Sequence, residues 1–206
     1  MRIISISDTH NKHKSLDIPD GDVLIHSGDI TNIGDAQGLA AFNAWGASLP
    51  HKWKICIAGN HDSLLEHNPG LGRILLSDWI YLQDEEVMVD GLKIYGSPWS
   101  VEFGTWSFMA QKGNPIKRIW DMIPDDTDIL VTHGPAYGIL DRSQGGIDCG
   151  CEELLKRTLQ IKPMIAQCGH IHEAYGVLER DGIKFINASS VTRFHDGFNK
   201  PIITDI

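Results

Sequence analysis

Aspartate, histidine and asparagine recur at five places in this chain, each time directly after a short apolar run. "SISDTH" brings Asp8 and His10, "HSGD" Asp29, "AGNHD" Asn60, His61 and Asp62, "VTHG" His133, and "CGHIH" His170 and His172. Carboxylate oxygens and imidazole nitrogens together form a mixed donor set that suits Mn, Fe or Zn. Glycine stands beside four of the five clusters, where it lets the backbone turn sharply and keeps side-chain bulk away. Taken singly, each cluster says little. D-x-H also reads as a capped turn, a lone G-D is nearly uninformative, and "GHIH" also reads as a polar turn. "GNHD" says more, because asparagine is an unusual end to an apolar strand unless its side chain has a partner. The joint pattern, in this order and each time after a strand, is what points to one metal site.

The elements that must position these residues are legible as β-branched runs. Residues 2–7, 22–28, 54–59, 92–97, 128–134, 164–169 and 183–189 read as strands, and 175–180 pairs with the last of them as a hairpin through Asp181-Gly182. Residues 35–48, 115–123 and 150–161 read as helices. Ligand sites in α/β sheets lie outside the carboxyl ends of the strands, so five clusters distant in sequence can converge. Side chains at i and i+2 of an extended segment point the same way, so Asp8 and His10 are expected to project together from one extended strand tip. The segment 98–114, "PWSVEFGTWSFMAQKGN", carries two Trp and two Phe between Gly and Pro breakers. It reads either as an ordered loop flanking a cleft or as a satellite aromatic core.

The 206 residues fit one α/β domain, 1–206, with a mixed sheet or two sheets packed face to face. A composition of 42% hydrophobic and 22% charged residues is that of a globular chain. The net charge of −9 argues against a broad basic surface for duplex nucleic acid, and only Lys112, Lys117 and Arg118 suggest a local basic strip. It leaves room for a small phosphate-bearing substrate, since a bound metal supplies local positive charge. No run resembles a signal peptide or a membrane span, and four cysteines without a disulfide-like pattern fit the cytoplasm. "CGC" at Cys149 and Cys151 matches neither a zinc pair nor a thioredoxin motif. Both cysteines read as packed rather than reactive.

The order "DTH", "GD", "GNHD", "H", "GHIH" resembles the calcineurin-like metallophosphoesterase superfamily, from Asp8 to His172. "LIHSGDI", "THGPAYGILDR" and "CGHIHEAYG" look like its smaller MPPED-like branch, whose members act on phosphodiesters including cyclic nucleotides. The resemblance implies a four-layer α/β/β/α sandwich with two mixed β-sheets. It also implies two divalent metal ions per chain, drawn from Mn, Fe, Zn, Ni or Co with Mn favoured. Asp8, His10 and His172 would hold the first, Asn60, His133 and His170 the second, and Asp29 would bridge them. Such a pair, roughly 3.5–4 Å apart, generates a hydroxide near neutral pH that attacks phosphorus in line. His61 would protonate the leaving oxygen, with Asp62 orienting its ring.

Other residues are read from position alone. His13 is a candidate substrate contact or an exposed loop histidine, and Asn32 a candidate phosphate contact. Asn187 is a candidate neighbour of the site. His26 is expected to be buried and hydrogen-bonded beneath it, and His51, His67 and His195 to lie at the surface. The expected activity is hydrolysis of small phosphodiesters, cyclic nucleotides being the favoured class. A phosphomonoesterase acting on phosphoprotein, a metal-bearing nucleotide-binding module and a nuclease are the competing readings. The substrate is the one partner expected, and no membrane is; the oligomeric state stays open.

Overall fold

In the computed structural model, which describes residues 1–192 and 196–206, two mixed sheets pack face to face. The first has the order β13–β1–β2–β3–β4, with β1 Arg2–Ile6, β2 Val23–Ser27, β3 Trp53–Ile57, β4 Ile80–Tyr81 and β13 Ile202–Asp205. The second has the order β11–β12–β10–β9–β6–β5, with β5 Glu85–Val89, β6 Leu92–Ser97, β9 Ile129–Thr132, β10 Ile165–Cys168, β11 Gly176–Arg180 and β12 Ile183–Asn187. Strands inside each sheet run parallel, and β13, β11 and β5 close three edges antiparallel. A two-stranded ribbon, β7 Ser100–Val101 and β8 Met109–Ala110, stands apart.

Strand alternation sorts the core into three layers. Ile3, Val23, Ile25, Ile55 and Ile57 face Ile94, Ile129, Val131, Ile165 and Ile186 between the sheets. The alternate residues Ile4, Ile6, Leu24 and Cys56 turn outward onto Leu39, Phe42 and Trp45 of α1 (Ala36–Ala47), beside α2 (Ser63–His67) and α3 (Pro69–Leu75). Tyr95, Leu130 and Phe185 turn onto Ile116 and Trp120 of α4 (Asn114–Trp120) and Leu154 of α5 (Glu152–Ile161). The expected four-layer α/β/β/α sandwich is therefore present. Asp35 caps α1, its carboxylate accepting from the Gly38 amide at 2.8 Å.

Nearly every expected strand stops one or two residues early at its C-terminal end, where the ladder gives way to a ligand-bearing turn. Five strand segments (β4, β5, β7, β8 and β13) and two α-helices (α2 and α3) lie outside the sequence reading. Among them, β5 carries "EEVMV" with little burial, so no apolar alternation marks it. It pairs with β6 through Asp90-Gly91, both at positive φ (47° and 93°), the tight hairpin signature that the sequence reading used only at Asp181-Gly182.

Candidate metal centre

The parallel strands place the ends of β1, β2 and β3 in one sheet beside those of β9 and β10 in the other. A parallel bridge between Ser7 and Ser189 joins the two sheets at that edge. Here the expected geometry of Asp8 and His10 needs correction. The strand ends at Ile6, and Asp8, His10 and Asn11 turn left-handed, with φ of 52°, 43° and 63°. Asp29 (55°) and His170 (69°) do the same. Left-handed backbone costs a non-glycine residue about 1–2 kcal/mol and persists where surrounding contacts over-determine it. The first turn is zipped to the second: the amides of Asp8, His10 and Asn11 donate to the carbonyls of Gly28, Asp29 and Ile30 at 2.9, 3.1 and 2.9 Å. Asp8 and His10 thus converge through a strained turn rather than along an extended strand.

His26 locks this pair of turns from below. The Gly28 amide donates to its Nδ1 at 3.2 Å, which leaves the proton on Nε2, 3.0 Å from the Thr9 hydroxyl. Burial lowers the pKa of His26 to about 3, so it stays neutral. Two glycines are required by close approach. A Cβ at Gly59 would collide with Asp29, and one at Gly169 with Asp8 and Ser7.

Above this base the structure brings together Asp8, His10 and His172 as one group, and Asp29, His133 and His170 as another. His172 Nε2 lies 3.3 Å from Asp8 Oδ1 and 3.4 Å from His10 Nε2. In the second group His133 Nε2 lies 3.2 Å from His170 Nδ1, 3.4 Å from Asp29 Oδ1 and 2.9 Å from Asn60 Oδ1. Asp29 spans the two, its Oδ2 lying 3.7 Å from His10 Nε2.

The tautomers indicate which ring atoms face the cluster. Nδ1 of His10 meets the Thr31 carbonyl at 3.2 Å, and Nδ1 of His133 meets the Ser27 carbonyl at 2.9 Å. Carbonyls only accept, so each Nδ1 carries the proton and each Nε2 aims a lone pair into the cluster. Those nitrogens face carboxylate oxygens of Asp29, an arrangement that is repulsive unless a positive charge lies between, either a metal ion or a proton on Nε2. The electrostatics agree. Burial opposes charge on His133, yet Asp29 and Asp8 outweigh it and push its pKa up to about 9. Burial likewise opposes charge on Asp8, but His172, His133 and His10 hold it well below the usual carboxylate range. The donor set fits divalent cations: oxygen and imidazole ligands, buried, with outer hydrogen bonds fixing their orientation.

His61 stands at the half-buried rim. Its ring meets His10 edge-on at 4.8 Å, and its Nδ1 lies 2.7 Å from the Asn32 carbonyl. Its backbone amide donates to Asp29 Oδ1 at 2.8 Å. The expected role of Asp62 is therefore corrected. The buried Asp62 carboxylate is occupied by the amides of Ile30, Thr31 and Gly59 and by the Thr31 hydroxyl, at 2.9–3.0 Å. It staples the second and third ligand turns together, while the Asn32 carbonyl orients the His61 ring. Burial and the nearby Asp29 charge push the Asp62 pKa up to about 6, against those donated hydrogen bonds.

Several other expectations change. His13 is buried rather than exposed, packed against Phe42 and Trp45 with ring centroids at 5.6 and 5.2 Å, and it belongs to neither ligand group. His51 is buried rather than superficial, its Nε2 3.1 Å from the Pro19 carbonyl. His67 is exposed as expected, and His195 lies outside the described residues. Asn187 adjoins the site as a brace, its amide donating to the Ile171 carbonyl at 2.9 Å and its Oδ1 accepting from the Ser189 backbone amide at 3.1 Å. Cys151 packs, accepting from Trp120 Nε1 at 3.2 Å, but Cys149 is exposed. Lys117 pairs with Asp121 within its own helix.

Sequence reasoning passed over the residues that support the ligands. Ser189 donates its hydroxyl to Asp8 Oδ2 at 3.0 Å, and Thr31 serves both His10 and Asp62. Nothing in "INASS" or "DITN" marks these roles before the turns are assembled. The aromatic segment 98–114 had been noticed, and both of its readings hold. Trp99 and Phe108 form an edge-on core pair at 5.7 Å. Trp106 lies against His61 at 4.3 Å, and Phe103 against His170 at 5.2 Å.

This fold, with ligand turns at its parallel-strand ends, has known counterparts. The calcineurin-like phosphoesterase family model matches residues 1–174, and the chain belongs to that family. Its members hydrolyse phosphoesters and use divalent metals. UPF0046 protein C25E10.12 of Caenorhabditis elegans is 43% identical over 228 residues, covering 100% of this chain and 81% of that protein. Metallophosphoesterase domain-containing protein 1 of Homo sapiens is 37% identical over 230 residues, covering 100% of this chain and 71% of that one. A solved structure described as a novel archaeal phosphodiesterase superposes with a TM-score of 0.54 at 19% identity, over 100% of this chain and 93% of that one. That likeness concerns the fold alone. Among the described residues, no helix is long and apolar enough to cross a membrane.

Proposed function

We propose that the protein is a dinuclear metal-dependent phosphodiesterase acting on small phosphodiesters, cyclic nucleotides among them. The observation that carries this reading is Asp29, whose two oxygens face two separate groups of buried ligands. In this reading Asp8, His10 and His172 hold one ion, and Asn60, His133 and His170 the other. Asp29 is shared. Mixed nitrogen and oxygen donors suit Mn, Fe, Zn, Ni and Co, and Mn is the ion chosen for the test. When bound, two such ions neutralise phosphate charge and make water a nucleophile near neutral pH.

The remaining chemistry falls to the chain. The Asn32 carbonyl holds the His61 Nδ1 proton, so the imidazolium form of His61 would carry its second proton on Nε2 and deliver it to the departing oxygen, leaving a neutral ring. The exposed Asn32 side chain stands beside it as a candidate phosphate contact. The strained turns hold their ligands before substrate arrives, so little reorganisation is left to the reaction. Four free thiols, three of them buried, suit a reducing compartment such as the cytoplasm.

The test is hydrolysis of bis(4-nitrophenyl) phosphate and of 4-nitrophenyl phosphate by metal-stripped protein titrated with Mn²⁺. The expected result is recovery with about two ions bound per chain and a faster rate on the diester. A faster rate on the monoester would make the protein a phosphomonoesterase. Binding of metal without turnover of either ester would overturn the catalytic reading.

A further inference from the structure

A cavity of about 440 Å³ opens beside the metal-ligand groups, and His170 lines both. Its volume lies within the range of small-molecule sites. One wall is the ribbon segment that begins at Trp99, and another is the loop at Ile147–Cys149. Three aromatic rings face this space: Trp99, Phe103 and Trp120. Two of them are fixed from behind. Trp99 Nε1 donates to Asp84 at 2.9 Å, and Trp120 Nε1 to Cys151 Sγ at 3.2 Å. Phe103 is 58% exposed and leans on His170 at the mouth.

Two observations narrow what would fill the cavity. Ser100 lines it and is 2% exposed, and its buried hydroxyl is without a hydrogen-bond partner among the described residues. A buried unpaired hydroxyl costs free energy that a ligand atom would recover. The charged groups on the lining are Glu102, Asp148 and Lys112, two carboxylates against one ammonium, apart from the imidazole of His170. That balance disfavours a second phosphate or a carboxylate.

We infer that this cavity is the specificity subsite of the phosphoesterase, taking a planar, uncharged aromatic ester group with a hydrogen-bonding atom at its edge. The ring lies among Trp99, Phe103 and Trp120 while the phosphoryl group sits at the ligand cluster next to His170. The edge atom meets the Ser100 hydroxyl. This inference rests on the phosphoesterase reading for the placement of the phosphoryl group, but it concerns binding rather than turnover.

The test is calorimetric binding of phenyl phosphate, 3-hydroxyphenyl phosphate and methyl phosphate to the Mn²⁺-loaded protein, next to the variants Val101→Trp and Ser100→Ala. The wild type is expected to bind phenyl phosphate at least about tenfold more tightly than methyl phosphate, as burial of one apolar ring would give. Val101→Trp fills the cavity and should bring that ratio near one while methyl phosphate binds as before. Ser100→Ala should keep the phenyl preference and lose the additional gain of the 3-hydroxyl. Phenyl phosphate should also protect the exposed Cys149 from alkylation by N-ethylmaleimide, a readout that needs no variant to fold. Equal affinity for phenyl and methyl phosphate in the wild type overturns the subsite, even if bis(4-nitrophenyl) phosphate is hydrolysed. A phenyl preference erased by Val101→Trp sustains it, even if no ester is turned over and the catalytic reading falls.

Discussion

The base of the site and its rim are built on different physical terms. At the base, Asp8, Asp29, His10 and His133 are at most 2% exposed, and each is held by at least one backbone or hydroxyl partner. Several of these residues occupy left-handed backbone that only a closed network of hydrogen bonds sustains. At the rim, Trp106 and Phe103 are 48% and 58% exposed and approach the base only through ring contacts with His61 and His170. The base is pre-organised and intolerant of change. The rim can vary at modest cost, so discrimination between substrates belongs there while the reaction belongs below.

That contrast is most sharply tested at its two extremes. Asp29→Ala removes a side chain whose two oxygens face the two ligand groups. Loss of a partner outside the ligand set typically costs about 10–100-fold in metal affinity or activity. The loss here should be larger, with turnover of bis(4-nitrophenyl) phosphate falling below detection and bound metal falling with it by elemental analysis. Retained activity with two ions bound would dissolve the distinction. His61→Ala lies between base and rim. It should lower kcat by about 10²–10⁴-fold with metal content unchanged, since Asp8, His10 and His172 form one group and Asp29, His133 and His170 another without the His61 ring. A parallel loss of metal would place His61 in the base instead.

Trp106→Ala probes the rim alone. An aromatic pair contributes about 0.5–1.5 kcal/mol beyond burial, so loss of the ring against His61 should lower kcat by about 2- to 12-fold. Because Trp106 acts through the His61 ring, the effect should vanish in a His61→Ala background, where a purely structural role would persist. A loss as large as that of His61→Ala would mean that the rim, too, is part of the reacting machinery.

The base was largely legible in the sequence, and of the rim only the aromatic segment 98–114 was. Ligand residues are rare residue types concentrated in short motifs, and strands of period two announce the turns that carry them. Their geometry was less legible. The i, i+2 argument brought Asp8 and His10 together for the wrong reason, because left-handed φ at Asp8 and His10 has no residue signature apart from neighbouring hydrogen bonds. Asp62 was placed beside its sequence neighbour His61, yet its side chain turns the other way to collect the amides of Ile30, Thr31 and Gly59. Adjacency in sequence says nothing about which neighbour a carboxylate selects when four donors compete. The cavity wall arises from residues 99–103, 112, 120, 134–135, 147–149, 151 and 170–171, which share no periodicity. The short ribbon and the Asp90-Gly91 hairpin were missed because exposed strands bury too little to pattern.

A histidine that resembles the base but does not belong to it gives the finest test. His13 lies three residues past His10, is 2% exposed, and packs on Phe42 and Trp45 under the helical layer. Burial first, and Lys14 second, lower its pKa to about 4 from an ordinary 6.5. Between those values the unfolded chain binds a proton that the folded chain refuses. His13 therefore leaves stability intact above about pH 6.5 and erodes it progressively as the pH falls toward 4. His13→Phe should flatten the fall of Tm over that window by a few degrees and leave metal content and turnover at pH 7.5 unaltered. The other buried histidines, His26 among them, are common to both proteins and cancel in the comparison. If His13→Phe instead lowers turnover at pH 7.5 without lowering Tm, this histidine reaches the substrate after all, and the boundary drawn between ligating and packing histidines moves outward by one turn.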